Sequence, residues 1–189
     1  MISLMDINKA QRGVSKQEWL EAGLESLSRN GVTGLTVDGI AHSLGIARAG
    51  FYWHFRNRDD LLLQLLGYWV DNLTEVITAN KEILSLDPKT RLTKTAEMVS
   101  DYDLGRYDMA IRQWALTYER AAKAVKATNH LRLDFIRQAF SELGFSGDDL
   151  EVRAMMFLCY HTWEATTFRD VSLVRRKELI SKRIDILTR

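Results

Sequence analysis

Between Ser15 and Phe55 the helical periodicity breaks twice, at Asn30-Gly31 and at Gly45, leaving three short segments. Helices of this length are marginal in water, so the fold must hold them by packing one against another. Little else in the chain competes with helix. Only one proline and 11 glycines punctuate 189 residues. No Val/Ile/Thr alternation bounded by turn residues argues for strands. The class predicted is all-α, with about nine helices.

Local signals place the first three. Ser15-Lys16-Gln17-Glu18 has the form of a capping box, in which a hydroxyl and a carboxylate satisfy each other's open backbone N–H groups. The spacing of Trp19, Leu20, Leu24 and Leu27 predicts a helix over Lys16 to Arg29, ended by the left-handed residue that Asn30-Gly31 supplies. Thr36 can cap a second helix whose Val37, Ile40, Ala41 and Leu44 share a face and which stops at Gly45. A third is predicted over Ala47 to Phe55, with Phe51 and Phe55 one turn apart and docked on the other two. Two short helices joined by a tight turn and resting on a third form a helix-turn-helix, which presents its last helix to the DNA major groove. On periodicity alone, three helices of an unspecialised bundle are an equal reading.

Charge discriminates only locally. The formal net charge is +1. Within residues 1–66 the bases Lys9, Arg12, Lys16, Arg29, Arg48, Arg56 and Arg58 are matched by Asp6, Glu18, Glu21, Glu25, Asp38, Asp59 and Asp60. From Gly45 to Arg58, however, three arginines and His54 occur without a carboxylate. Such segregation is what a phosphate backbone would sense.

The run Thr36-Val37-Asp38-Gly39-Ile40-Ala41, then Leu44-Gly45-Ile46-Ala47-Arg48-Ala49-Gly50-Phe51-Tyr52-Trp53-His54-Phe55-Arg56-Asn57-Arg58-Asp59-Asp60-Leu61, resembles the DNA-binding signature of the TetR family. The resemblance is dense over Ser15 to Leu66; beyond that it extends only to helical layout. It implies a transcriptional regulator, with a DNA-binding domain over 1–57 and a helical ligand-sensing and dimerisation domain over 58–189. It implies double-stranded DNA with a palindromic operator, a homodimer and a small-molecule effector as partners, and repression as the default. No enzyme activity or cofactor is implied.

By the same resemblance Ala47 to Phe55 is the recognition helix, with Arg48, Ala49, Gly50 and Tyr52 facing base edges. Arg48 can fork onto guanine O6 and N7, the tyrosine ring can touch a thymine methyl, and Gly50 permits close approach. Thr36, Tyr52, His54 and Arg58 match positions that hold phosphates, contacts that set register rather than sequence. Trp53 is expected to pack and Arg56 to be solvated. A solvated tail is the expected role of Lys9 and Arg12. Two departures stand out: Ala47 replaces a frequent capping serine, and Asp38 puts a carboxylate where some relatives carry a base-reading cation.

Further along, one long helix is expected from Asp59-Asp60 toward Ala79, carrying Leu62, Leu65, Leu66, Trp69, Val70, Leu73 and Ile77 on its apolar face. In the family, a ligand that tilts this helix changes the separation of two reading heads. Asp87-Pro88 predicts a helix to about Ser100. Asp101 to Gly105 reads as a loop, with helices over Tyr107 to Thr117 and Arg120 to Leu143. Ser146-Gly147-Asp148-Asp149 resembles a capping box opening a helix through Phe168, and Ser172 to Leu187 is the last helix. The helix from Asp148 to Phe168 is apolar on more than one face, implying a second buried surface. By resemblance that surface pairs with a copy in a second subunit. Trp69, Met98, Tyr102, Trp114, Tyr118, Phe157 and His161 are candidates to line a cavity for an apolar or aromatic effector.

Enzyme readings find little support. His42, His54, His130 and His161 are far apart, and no nucleophile motif or glycine-rich phosphate loop occurs. The lone Cys159 builds neither a disulfide nor a thiolate metal site and is expected to be buried. With no leader-like N-terminus and no run long enough to span a bilayer, the expected location is cytoplasmic and no membrane partner is expected. The competing non-enzymatic reading is a ligand-binding or scaffold bundle that has lost specific DNA binding.

Overall fold

The computed structural model describes residues 13–168 and 170–189. Lys9 and Arg12 lie outside the described residues, among which every regular element is helical. The fold is all-α, as expected. None of the described helices is long and apolar enough to cross a membrane. Packing divides the chain into two compact units, Met1–Tyr68 and Trp69–Arg189.

In the first unit, α1 (Lys16–Gly34) starts on the capping box, with Glu18 N–H donating to Ser15 Oγ at 3.2 Å and Ser15 N–H to Glu18 Oε2 at 2.8 Å. Gly31 sits at φ 66° and kinks the helix where its end was predicted, after which one further turn runs to Gly34. Helix α2 (Val37–Ser43) is capped by Thr36 Oγ1, which accepts from Gly39 N–H at 3.0 Å. Gly39 makes room for that cap: a Cβ there would lie 2.9 Å from the Thr36 hydroxyl. The helix closes on Gly45 at φ 70°, with Ile46 N–H donating to Ala41 O and Gly45 N–H to His42 O, both at 3.1 Å. That paired bond pattern satisfies the last carbonyls and needs a residue tolerant of positive φ.

The third segment is not the α-helix expected over Ala47 to Phe55 but a 3-10 helix over Arg48–Trp53. Ala47 offers no capping oxygen, and a segment this short tightens readily into 3-10 form. Helix α3 (Arg58–Val70) follows. Asn57 Oδ1 accepts from Asp60 N–H and Asp60 Oδ2 from Arg56 N–H, both at 2.9 Å. The Arg56 N–H, then the Gln64 amide, hold the Asp60 carboxyl below its usual range. Trp19 and Phe51, 0% and 1% exposed, meet edge to face with centroids 5.5 Å apart, and Phe55 stacks on Phe51 at 5.1 Å.

In the second unit the expected helix to Ala79 is interrupted. A π-helical turn (Asp71–Glu75) precedes α4 (Val76–Thr78) and α5 (Lys81–Leu84). Helix α6 (Pro88–Asp101) begins on Asp87, whose Oδ1 accepts from Thr90 N–H at 3.1 Å, as the Asp-Pro signal predicts. Only a tight turn, with Asp103 at φ 47°, separates it from α7 (Leu104–Ala115), so the loop is shorter than expected. Helix α8 (Glu119–Glu142) ends at Gly144 with the same paired closure as α2. Helix α9 (Gly147–Thr167) starts after Ser146, which makes no side-chain cap, so the second capping box does not form. The last expected helix is two, α10 (Leu173–Glu178) and α11 (Ile180–Leu187). Leu92, Ala96, Ile136, Phe140, Phe157 and Ile184 are the centre of this unit's core. Contrary to expectation Cys159 is exposed, on the outward face of α9 with Val152, Met155, Met156 and Trp163.

Candidate nucleic-acid interface and apolar cavity

The 3-10 helix carries two faces. Phe51 turns into the core and Phe55 follows it; Arg48, Ala49, Tyr52 and Trp53 are exposed. Trp53, expected to pack, is 87% exposed and Tyr52 is 56% exposed. The reason is register: Phe51 and Phe55 already fill the space between α1 and α2, so their neighbours point outward. A large aromatic left in water on such a face is a candidate contact that the sequence reading missed.

Arg48 is held on this surface. Its Nη2 donates to Tyr52 Oη at 2.9 Å and its Nη1 to Asp38 Oδ2 at 3.3 Å. The Tyr52 hydroxyl, then the Asp38 carboxylate, raise the Arg48 pKa. Thr36 is exposed at the start of α2, its Oγ1 occupied by Gly39 N–H and its hydroxyl hydrogen available. Gly50 is half-buried, and a Cβ there would make an ordinary contact with Ile46.

Two residues expected at phosphates turn partly inward. His54 Nε2 donates to Val14 O at 2.8 Å, which places the proton on that nitrogen. Arg58 donates through Nε to Leu35 O at 2.9 Å and through Nη2 to Val32 O. Its guanidinium therefore closes the end of α1, where carbonyls lack helical partners. We expect Arg58→Ala to lower stability by about 1.5–3 kcal/mol, the usual contribution of bonds from a charged donor. Urea unfolding checks this, and an unchanged midpoint would contradict it.

The second unit holds a partly open cavity of about 60 Å³ whose walls include Leu73, Ile77, Val99, Phe135, Ile136, Phe157, Leu158 and His161. Of the seven candidates read from sequence, only Phe157 and His161 line it. Trp69 is buried, its Nε1–H donating to Asp108 Oδ1 at 3.0 Å. Met98 packs against the core, Tyr102 is 66% exposed beyond α6, and Trp114 stacks on Tyr118 at 5.0 Å. Aromatic content alone did not separate lining from filling.

Polar wall groups that sequence did not single out are Thr74, Asp108 and Arg132. Arg132 forks onto Asp108 at 2.6 and 2.9 Å and reaches Thr74 Oγ1 at 2.7 Å. Arg112 also contacts Asp108, at 3.3 Å, and donates to Asn129 at 2.6 Å. The only hint in the sequence was the helical spacing of Asp108 and Arg112. His161 Nδ1 donates to Phe157 O at 2.7 Å, and its Nε2 faces Arg183 Nη2 at 3.3 Å.

Burial, and then the Arg183 charge, push the His161 pKa down to about 3. An unfolded chain takes up this proton near pH 6.5, whereas the folded one does so only near 3. Stability should fall as pH drops through that window, by about 1.4 kcal/mol per pH unit from this group. Denaturation of wild type and His161→Gln at pH 7 and 4.5 isolates the contribution. The expected result is that acid weakens the wild type more; parallel losses would contradict it.

Residues 20–65 match the family described as bacterial regulatory proteins, tetR family. Over 148 residues the chain is 32% identical to the tetracycline repressor protein class A from transposon 1721 of Escherichia coli. The chain is similar to TetR-family regulators. That alignment takes in 76% of this chain and 61% of the repressor, so the chain spans about three fifths of the curated relative's length. Two solved structures have the same fold. AibR, in complex with isovaleryl coenzyme A and operator DNA, superposes with TM-score 0.70 at 19% identity, over 92% of this chain and 97% of that one. The regulator FadR from Bacillus subtilis, in complex with stearoyl-CoA, gives 0.68 at 17% identity, over 92% and 98%.

Proposed function

We propose that this protein is a TetR-type DNA-binding transcriptional regulator, a repressor that binds a palindromic operator as a homodimer and is released by a small apolar or aromatic effector. The observation that carries the reading is the exposed edge of the 3-10 helix, where Arg48 and Tyr52 are oriented together beside Ala49 and Trp53. In this proposal residues 1–57 are the reading domain and 58–189 the sensing and dimerisation domain. Arg48 forks onto a guanine, Ala49 and Tyr52 touch base edges, and Gly50 keeps the backbone close to the groove. Thr36 and the Tyr52 hydroxyl donate to phosphates, while His54 and Arg58 fix the frame from which these groups project.

The tetracycline repressor and the operator-bound AibR support the DNA reading. For a second subunit, support comes from the apolar stripe Val152, Met155, Met156 and Trp163 on α9, each about half exposed. For an apolar effector, it comes from the walls of the cavity.

Selection of bound DNA from a random pool at low and moderate salt, with the mass in solution recorded alongside, tests the reading. A palindromic motif bound by a species of twice the chain mass is expected. An unenriched pool would overturn it in favour of a ligand-binding bundle without specific DNA affinity.

A further inference from the structure

We propose that Asp38 is a positioning residue for base readout, its carboxylate holding the Arg48 guanidinium in the orientation from which it engages a guanine; this rests on the DNA-reading function proposed above. The contact joins the two halves of the helix-turn-helix. Asp38 lies in the first turn of α2 and Arg48 opens the 3-10 helix, ten residues on, with Nη1 to Oδ2 at 3.3 Å.

The pair is not there for the fold. Its side chains are 53% and 69% exposed, and ion pairs in that setting add little to stability. A favourable interaction with the start of α2 would be available to Asp38 whether or not Arg48 were present. Unpaired, the carboxylate would repel phosphates. Paired, its charge is balanced by the group that is to approach the base.

What the clamp changes is the freedom of Arg48. An unrestrained arginine must give up its rotamers when it forks onto a base, whereas this one is fixed from two sides. Asp38 takes one N–H from Nη1 and Tyr52 takes one from Nη2. Three of the five guanidinium N–H groups stay available for a base edge. Ordering one long side chain beforehand corresponds to roughly two- to twelve-fold in affinity. It also narrows the directions in which the fork can point, so the gain falls on one base pair and not on the phosphates.

Random-pool selection and affinity for the selected site, run on wild type, Asp38→Ala, Asp38→Glu, Arg48→Ala and the Asp38→Ala/Arg48→Ala double variant, test this. In Asp38→Ala one base-pair position per half-site should lose its preference, and the wild-type site should bind roughly two- to twelve-fold more weakly. Arg48→Ala should flatten the same position, the double variant should lose no more than Arg48→Ala, and Asp38→Glu should restore the preference. Unfolding midpoints should be alike. An unchanged motif in Asp38→Ala would overturn the proposal. So would uniformly tighter binding to all DNA, which would make the carboxylate merely repulsive. A wild-type pool without any motif would instead overturn the DNA-reading function itself, and the inference with it.

Discussion

Asp108→Ala should be the most damaging single change in the second unit, lowering its stability by about 3–5 kcal/mol. Asp108 is 3% exposed and receives Arg132, Arg112 and the Trp69 indole. Removing the carboxylate leaves two arginines in a poorly solvated place with no counter-charge, which costs far more than the pair contributes in excess of an apolar replacement. Arg132 also lies over the Trp69 ring, 5.4 Å from its centroid, so its displacement would disturb the packing of the indole as well. The same physics predicts that Asp108→Leu combined with Arg132→Met is milder than Asp108→Leu alone, because one arginine, Arg112, and not two is left without its counter-charge. Urea unfolding of the three variants decides it. A loss below about 1 kcal/mol in Asp108→Ala would mean that water reaches the network and screens it.

Phe51→Ala should have an effect of similar size in the first unit, about 3–5 kcal/mol. The ring touches Trp19, Phe55 and Tyr52 at centroid separations of 5.5, 5.1 and 5.3 Å, and these contacts seat the 3-10 helix. A unit of this size has little stability to spare, so the loss approaches the whole of it. The expected result is collapse of the aromatic signals of Trp19 and Tyr52 in near-ultraviolet dichroism, with DNA affinity lost at the same time. Phe51→Leu, which keeps most of the volume, should retain both. Intact affinity in Phe51→Ala would mean that the reading edge does not depend on this packing.

What could be read without coordinates follows the range of the interactions. Ser15-Glu18, Thr36, Gly45 and Asp87-Pro88 act within a few residues, and each starts or ends a helix where its chemistry requires. The misreadings are of two kinds, local signals that go unused and contacts made across long stretches of chain. Ser146 leaves its cap unmade, and the π turn at Asp71–Glu75 interrupts a run whose periodicity looks continuous. Arg58 reads as a phosphate contact, yet it also serves carbonyls 23 and 26 residues earlier. Asp108 and Arg132 meet across 24 residues, and Trp53 is exposed only because its neighbours fill the core. Cavity lining was the least legible property. Whether Trp114 fills space or borders it depends on what stands opposite, and here Tyr118 does.

The central claim is that the Arg48–Trp53 helix reads base pairs from the major groove, and methylation interference on the selected DNA tests it most directly. Guanine N7 lies in the major groove and adenine N3 in the minor groove, so methyl groups at the two positions report on different faces of the duplex. The structure predicts that N7 methylation of one guanine in each half-site abolishes binding by the wild type, and has no effect on the residual binding of Arg48→Ala. Interference confined to adenine N3, or interference at N7 that persists without Arg48, would contradict it.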